Sequence, residues 1–308
     1  MNVVHIGLER TGNTTLQNAI FSQQESFTYV GVRNDLYPDD RVRELIIRIS
    51  SQDSLDYRNA ETKALLRRIC EDAPRTRPML IASERFSLEG GADRRFIAER
   101  LRDLFAPAKV LIVLRAQTTI VQAQYLKHLS GLDDRIVPFE TWLERNYGGI
   151  EFSDPYRPGL DYELLVRMYE DVFGFDNLVV LPSELMHEDN SIFQNRIAEL
   201  LHMPLQAIRE VLRRNVTDQR VSRRHVFAHR VQDLLLKDKN LALLGRRLLP
   251  RLVYDPIRRF VVGGPRVEAP ALPERWRQRI TELCAESNTR LESRLNLPLR
   301  ALGYPVAG

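Results

Sequence analysis

Short apolar runs alternate with amphipathic stretches over the first two thirds of the chain. Residues 2–7 (NVVHIG) form a compact apolar run stopped by Gly7, which predicts a buried strand. The turn ERTGN follows, and TTLQNAIFSQ then places Leu16, Ile20 and Phe21 on one side of a helix. Residues 28–33 (TYVGVR) predict a second strand, followed by helices over 40–51 and 60–73, the latter stopped at Asp72-Ala73-Pro74. The run PMLIAS (78–83) predicts a strand that ends at Glu84, and DRRFIAERLRDLF beyond a Gly-Gly turn predicts an amphipathic helix. KVLIVLR (109–115) is the clearest strand, a nearly continuous β-branched and leucine run of the kind covered on both faces. A helix over 118–130 comes next. The helix DYELLVRMYEDVFG has Gly174 as its candidate C-cap, and a strand at 177–182 (NLVVLP) and a helix over 191–202 follow.

Strands thus alternate with helices through residue 205. That order predicts an α/β fold with three layers, α/β/α, around a mostly parallel central sheet. Beyond 205 the chain reads as helical and Arg-rich, with a loop at 262–273. With no repeat and no low-complexity tract, the reading is a single domain over 1–308: an α/β core at 1–205 with a helical C-terminal region, 206–308, packed on it.

The apolar share of 44% and charged share of 28% are those of an ordinary globular enzyme. No stretch of about 18 uncharged apolar residues occurs, so no integral membrane segment is expected. The start MNVVHIGLERTG lacks the basic region, long apolar run and cleavage site of a signal peptide. Two cysteines, Cys70 and Cys284, cannot build a disulfide framework and fit a reducing, cytoplasmic setting. The net charge of +4 is carried mainly by Arg, which suits planar recognition of phosphate. The excess is slight and no recognition motif accompanies it, so no nucleic-acid partner is expected. The sequence holds no signal for an oligomeric state.

The segment Gly7-Leu8-Glu9-Arg10-Thr11-Gly12-Asn13-Thr14-Thr15 joins the first predicted strand to the first predicted helix. Backbone N–H groups are unpaired at such a junction and the helix dipole is positive there. The glycines let the chain wrap an anion, Thr14 and Thr15 offer hydroxyl donors, and Arg10 adds a fixed charge. The spacing of Gly7, Gly12 and Thr14 follows the Walker A outline, but Asn13 occupies the lysine position. A metal-dependent phosphotransferase needs that lysine and an Asp at the end of a neighbouring strand; KVLIVLR ends in Arg115.

The run HIGLERTGNTTLQ resembles the 5′-phosphosulfate loop of sulfotransferases that use 3′-phosphoadenosine-5′-phosphosulfate (PAPS), a Lys-Thr-Gly-Thr-Thr run leading into a helix. Arg10 stands at the lysine of that motif and Asn13 at a threonine. LIVLRAQTTIVQAQYLKHL resembles the same family's second segment, in which an Arg and a Ser eight residues later hold the 3′-phosphate. Arg115 matches the Arg, whereas Ala123 takes the Ser position and removes one expected contact. LIASERF, the helix–strand unit ending at LPSELMHED, and the C-terminal SNTRLESRLNLPLRALGYP resemble further elements of the bacterial branch, in the right order. The resemblance implies a P-loop-like sulfotransferase fold.

It also implies a sulfuryl transfer from PAPS to a hydroxyl or amine of a carbohydrate, glycolipid or small metabolite, leaving PAP, with no metal required. Arg10 would meet charge on the bridging oxygen, and Glu84 at a strand end would act as general base. Thr11, Gly12, Asn13, Thr14 and Thr15 would surround the 5′-phosphate and Arg115 the 3′-phosphate. Within the Arg-rich segment 213–225, Arg220 or Arg223 would close over the nucleotide, although such a cluster is more often a solvated helix face. Two other readings stay open: a P-loop nucleotide phosphotransferase, and a non-catalytic module that binds PAP or another nucleotide.

Overall fold

The computed structural model describes residues 1–32, 36–71, 73–74, 76–88, 94–130, 136–148, 159–188, 191–214, 222–224, 226 and 265–308. They belong to two compact units. One comprises Met1–Ile120, Ile150–Thr217 and Arg277–Gly308, and the other Val121–Gly149 and Asp218–Trp276.

The first unit is built on five parallel strands: β1 (Asn2–Gly7), β2 (Thr28–Gly31), β3 (Met79–Ser83), β4 (Ala108–Leu114) and β5 (Leu178–Pro182), in the order β2-β3-β1-β4-β5. The register sets Val4 beside Ile81 and Val110, and His5 beside Ala82 and Leu111. Side chains alternate across a strand, so the apolar runs cover both faces. On one face Val3, Leu80, Ala82, Leu111, Val113 and Leu181 pack with Leu16, Phe21, Phe193, Ile197, Ile208 and Leu212. These last residues come from the helical segment after β1, from α9 (Ile192–Leu201) and from α10 (Leu205–Arg214). The other face meets α5 (Arg94–Phe105) and α8 (Tyr162–Phe173). The expected α/β/α layering on a parallel sheet is present.

Local signals set most boundaries. Asp39 caps α2 (Asp40–Ser51) by accepting from the Val42 amide at 3.0 Å, and Asp161 and Ser191 cap α8 and α9 in the same way. Gly174, at φ 85°, ends α8. The helix expected to reach residue 73 is α3 (Asn59–Ile69) and stops earlier, with the Cys70 amide closing back on Leu66 and Arg67. Between α2 and α5, the buried Arg100 donates from Nη1 to the Arg48, Ile49 and Gln52 carbonyls at 3.3, 3.0 and 2.8 Å. Its charge lies at the negative end of the α2 dipole, and its guanidinium sits 4.1 Å from the centre of the Tyr57 ring.

The helix expected over 14–23 is not one regular α-helix. It starts as α1 (Asn13–Thr15), widens to a π turn over Leu16–Ile20 and tightens to a 3₁₀ turn over Phe21–Gln23. The Phe21 amide bonds back to the Leu16 carbonyl, and this wider turn lets Leu16, Ile20 and Phe21 all reach the core. Two helices have no forecast in the sequence: α4 (Arg85–Leu88), just after β3, and α7 (Phe139–Tyr147), which supplies Phe139 and Trp142 to an aromatic cluster.

Helix α6 (Gln117–Ser130) begins in the first unit, and its later residues belong to the second. There Tyr125, Phe139 and Trp142 pack with ring centres 4.7 to 6.3 Å apart. Gln122 donates to the Pro270 carbonyl at 2.7 Å, and Gln124 accepts from the Tyr147 hydroxyl. The C-terminal helix, α11, spans Glu274–Leu295. Among the described residues no helix is long and apolar enough to cross a membrane.

Candidate functional site

From β1 the chain passes toward the β2 side of the sheet, and from β4 it passes to β5 on the opposite side. The two adjacent strands therefore send their connections in opposite directions, and a crevice opens beyond their carboxyl ends. Residues Leu8–Gly12 leave β1 at that crevice, Arg115 leaves β4 there, and Glu84 leaves β3, the other neighbour of β1. All of them lie in the first unit.

The loop is shaped by two left-handed residues, Arg10 at φ 67° and Gly12 at φ 85°. For Arg10 this conformation costs about 1 kcal/mol, a local strain retained at the crevice. Gly12 is required twice over: its φ suits glycine, and a Cβ there would lie 2.4 Å from Met186 Cε. At Gly7 a Cβ would come 2.2 Å from Asn13 Oδ1, so the small residue makes room for the asparagine side chain.

Asn13 braces the loop from inside. Its Nδ2 donates to the Leu8 carbonyl at 2.7 Å and to Glu84 Oε1 at 2.9 Å. The Thr11 hydroxyl donates to the Leu8 carbonyl at 2.7 Å and approaches Asn13 Oδ1 at 3.2 Å. Both side chains are buried and committed to the loop and to Glu84, so Thr11 and Asn13 offer a ligand only their backbone. The N–H groups of Thr11, Gly12, Asn13 and Thr14 have no acceptor among the described residues, and the half-buried Thr14 hydroxyl has no partner there either. Thr15 is buried. The result is a preformed row of donors at a helix start.

Two guanidiniums flank that row. Arg115 donates from Nη1 to the Arg10 carbonyl at 2.8 Å and from Nε to the Thr119 hydroxyl at 3.2 Å. Its Nη2 has no partner among the described residues. Burial pulls the Arg10 guanidinium below the usual arginine value; Glu9 and Glu84 oppose that, and the like charge of Arg115 adds to it. Two cations near enough to repel each other, next to unpaired N–H groups, make a site suited to a polyanion.

The residues singled out in the sequence fall in both units. Arg10, Thr11, Gly12, Asn13, Thr14, Thr15, Glu84 and Arg115 share one end of the sheet in the first unit. Ala123 and Arg223 belong to the second unit, and Arg220 lies outside the described residues. Arg223 is exposed, and its backbone N–H donates to the Pro265 carbonyl at 2.6 Å. The amides of Gln122 and Gln124, beside Ala123, are engaged within their own unit as described above. Glu184, a carboxylate just past a predicted strand, reads from the sequence as structural. It follows β5 at the same edge and accepts from the Ala116 N–H at 2.8 Å. Its place just past a strand end was the available signal. Among the described residues no group of three or more His, Cys, Asp or Glu could hold a metal ion.

The chain matches no protein-family model and no curated protein. Among solved structures it is similar to a sulfotransferase from Alicyclobacillus acidocaldarius, at 18% identity and a TM-score of 0.46, over 66% of this chain and 81% of that one. It is also similar to the sulfotransferase domain from the curacin biosynthetic pathway, at 11% identity and a TM-score of 0.38, over 66% of this chain and 74% of that one.

Proposed function

We propose that this protein is a sulfotransferase that moves a sulfuryl group from PAPS to a hydroxyl or amine of a carbohydrate, glycolipid or small-metabolite acceptor. One observation carries the reading. A preformed row of unpaired N–H groups is flanked by Arg10 and Arg115, and the residue in the Walker lysine slot, Asn13, is tied to a carboxylate.

PAPS supplies a sulfuryl group already activated on a phosphate. The loop N–H groups and the Thr14 hydroxyl bind the 5′-phosphate, and Arg115 binds the 3′-phosphate. Glu84, fixed by Asn13, takes the proton from the acceptor oxygen or nitrogen as that atom bonds to sulfur. The bond from sulfur to the bridging phosphate oxygen breaks in the same step. The charge left on that oxygen is met by Arg10 and the loop N–H groups, which need no rearrangement to do so. Arg10 keeps its proton throughout, so its contribution is electrostatic. The acceptor itself binds outside the residues named here. We assign the reaction to the cytoplasm, in keeping with Cys70 and Cys284, which are both free thiols.

A nucleotide phosphotransferase would need a cation where Asn13 stands, and here a neutral amide holds a carboxylate close to that slot. Calorimetry with PAP and with ATP–Mg²⁺, on the parent protein and on Arg115→Ala, tests the proposal. The expected result is micromolar or tighter PAP binding that is lost in the variant, with little binding of ATP–Mg²⁺. Absence of PAP binding, or a preference for ATP–Mg²⁺, overturns it in favour of the phosphotransferase.

A further inference from the structure

We infer that Glu184 and Tyr304 are positioning residues for Arg115, so that the C-terminal tail of the chain completes the end of the site that receives a terminal phosphate. The inference rests on the reading above, in which Arg115 takes the 3′-phosphate.

Arg115 is the first residue after β4, and Ala116 separates it from α6. Side chains from elsewhere hold both residues of this turn. The Tyr162 hydroxyl on α8 donates to the Arg115 carbonyl at 2.7 Å. Glu184 Oε1 accepts from the Ala116 N–H at 2.8 Å, and its Oε2 accepts from the Tyr304 hydroxyl at 3.1 Å. One carboxylate therefore bridges the tail to the peptide next to Arg115.

The tail is itself anchored. Asn288 on α11 donates to the Pro305 carbonyl at 2.7 Å and exchanges reciprocal amide bonds of 2.9 and 3.0 Å with Gln117, in the first turn of α6. The Ala307 N–H donates to the Thr289 hydroxyl at 3.0 Å. Tyr304 is buried, with its ring edge-on to Tyr162 at 6.4 Å between centres. Two routes thus run from the tail to the two residues that follow Arg115, one through Glu184 to Ala116 and one through Asn288 to Gln117.

The chemistry at Glu184 is unusual for mere packing. The half-buried carboxylate lies on the ligand edge of the sheet and has no cationic partner among the described residues. A negative charge there opposes anion binding, and a neutral side chain would fill the same space without that cost. What the carboxylate supplies is two strong acceptor positions, one for the backbone and one for the phenol. Burial and the neighbouring carboxylate push the Tyr304 phenol well up, so it remains a donor throughout the physiological range.

The test compares calorimetric affinities for PAP and for adenosine 5′-monophosphate, which lacks the 3′-phosphate. Their ratio isolates the phosphate bound by Arg115. Parent protein, Arg115→Ala, Glu184→Ala, Glu184→Gln and Tyr304→Phe are compared. Arg115→Ala is expected to collapse the ratio. Loss of the Glu184 acceptor in Glu184→Ala is expected to lower it roughly tenfold. Tyr304→Phe should lower it by a smaller factor, and Glu184→Gln, which keeps an acceptor for Ala116, should hold it within about twofold of the parent. Affinity for the monophosphate should barely move in Glu184→Ala, Glu184→Gln and Tyr304→Phe. If Glu184→Ala does not fold, Tyr304→Phe, which removes one oxygen, decides the matter against Glu184→Gln. A ratio that depends on Arg115 but is unchanged in Tyr304→Phe and Glu184→Ala overturns the inference and leaves the donor-site reading standing. A parent with no preference for PAP overturns both.

Discussion

His5 lies at the centre of β1, two residues before the loop, and is fully buried with neither ring nitrogen hydrogen-bonded to a described residue. Its ring stands edge-on to Phe21 at 5.1 Å between centres, and Ala82 and Leu111 flank it on the neighbouring strands. Burial lowers its pKa from 6.5 to about 3, because the imidazolium would lose its solvation there. The unfolded chain therefore takes up a proton near pH 6.5 that the folded protein refuses until about pH 3. Stability from this residue is complete above pH 6.5 and is lost as the pH falls toward 3. The limiting slope is about 1.4 kcal/mol per pH unit, so the loss between pH 7.5 and pH 5 is about 2 kcal/mol. The variant His5→Leu keeps a similar volume in an apolar setting and cannot titrate. Urea unfolding of both proteins at pH 5, 6 and 7.5, at constant ionic strength, isolates the effect because every other titrating group is shared. Parent stability should fall by about 2 kcal/mol more than that of the variant over this range. Parallel pH profiles for the two proteins would refute the reasoning and mean that water or a polar partner reaches the ring.

Asn13→Asp should exchange an amide–carboxylate bond of 2.9 Å for two facing carboxylates. The pair will hold a proton to higher pH than either acid alone, so the variant should lose stability relative to the parent as pH rises from 5 to 8, by roughly 1–3 kcal/mol. Thermal unfolding at the two pH values checks this, and a constant difference would show that Glu84 swings away. Arg100→Met should keep the packing of the side-chain stem while removing three bonds to the α2 carbonyls and the contact with Tyr57. An unfolding free energy lower by roughly 3 kcal/mol is expected, and an unchanged one would show that water replaces the guanidinium.

What was legible in the sequence was local. Each strand of the parallel sheet is buried on both faces, so it appears as an apolar run, and the helices between them show their amphipathic period. The anion loop was legible because Gly7, Gly12, Arg10 and Thr14 sit within one strand–turn–helix junction, where backbone geometry alone makes the donors. The strand ends at Glu84 and Arg115 followed from the same runs. Helix α7 went unread because its apolar positions belong to an aromatic cluster completed by Tyr125 on another helix. Tertiary structure decided the rest. The position of β1 between β3 and β4 is a matter of strand order, which no local period encodes. That order brings Asn13 to Glu84 across 71 residues, Arg10 to Arg115 across 105, and Glu184 to Tyr304 across 120. Residue type and period specify which groups a segment can offer, whereas the partner that fixes each group is chosen by packing between segments distant in the chain.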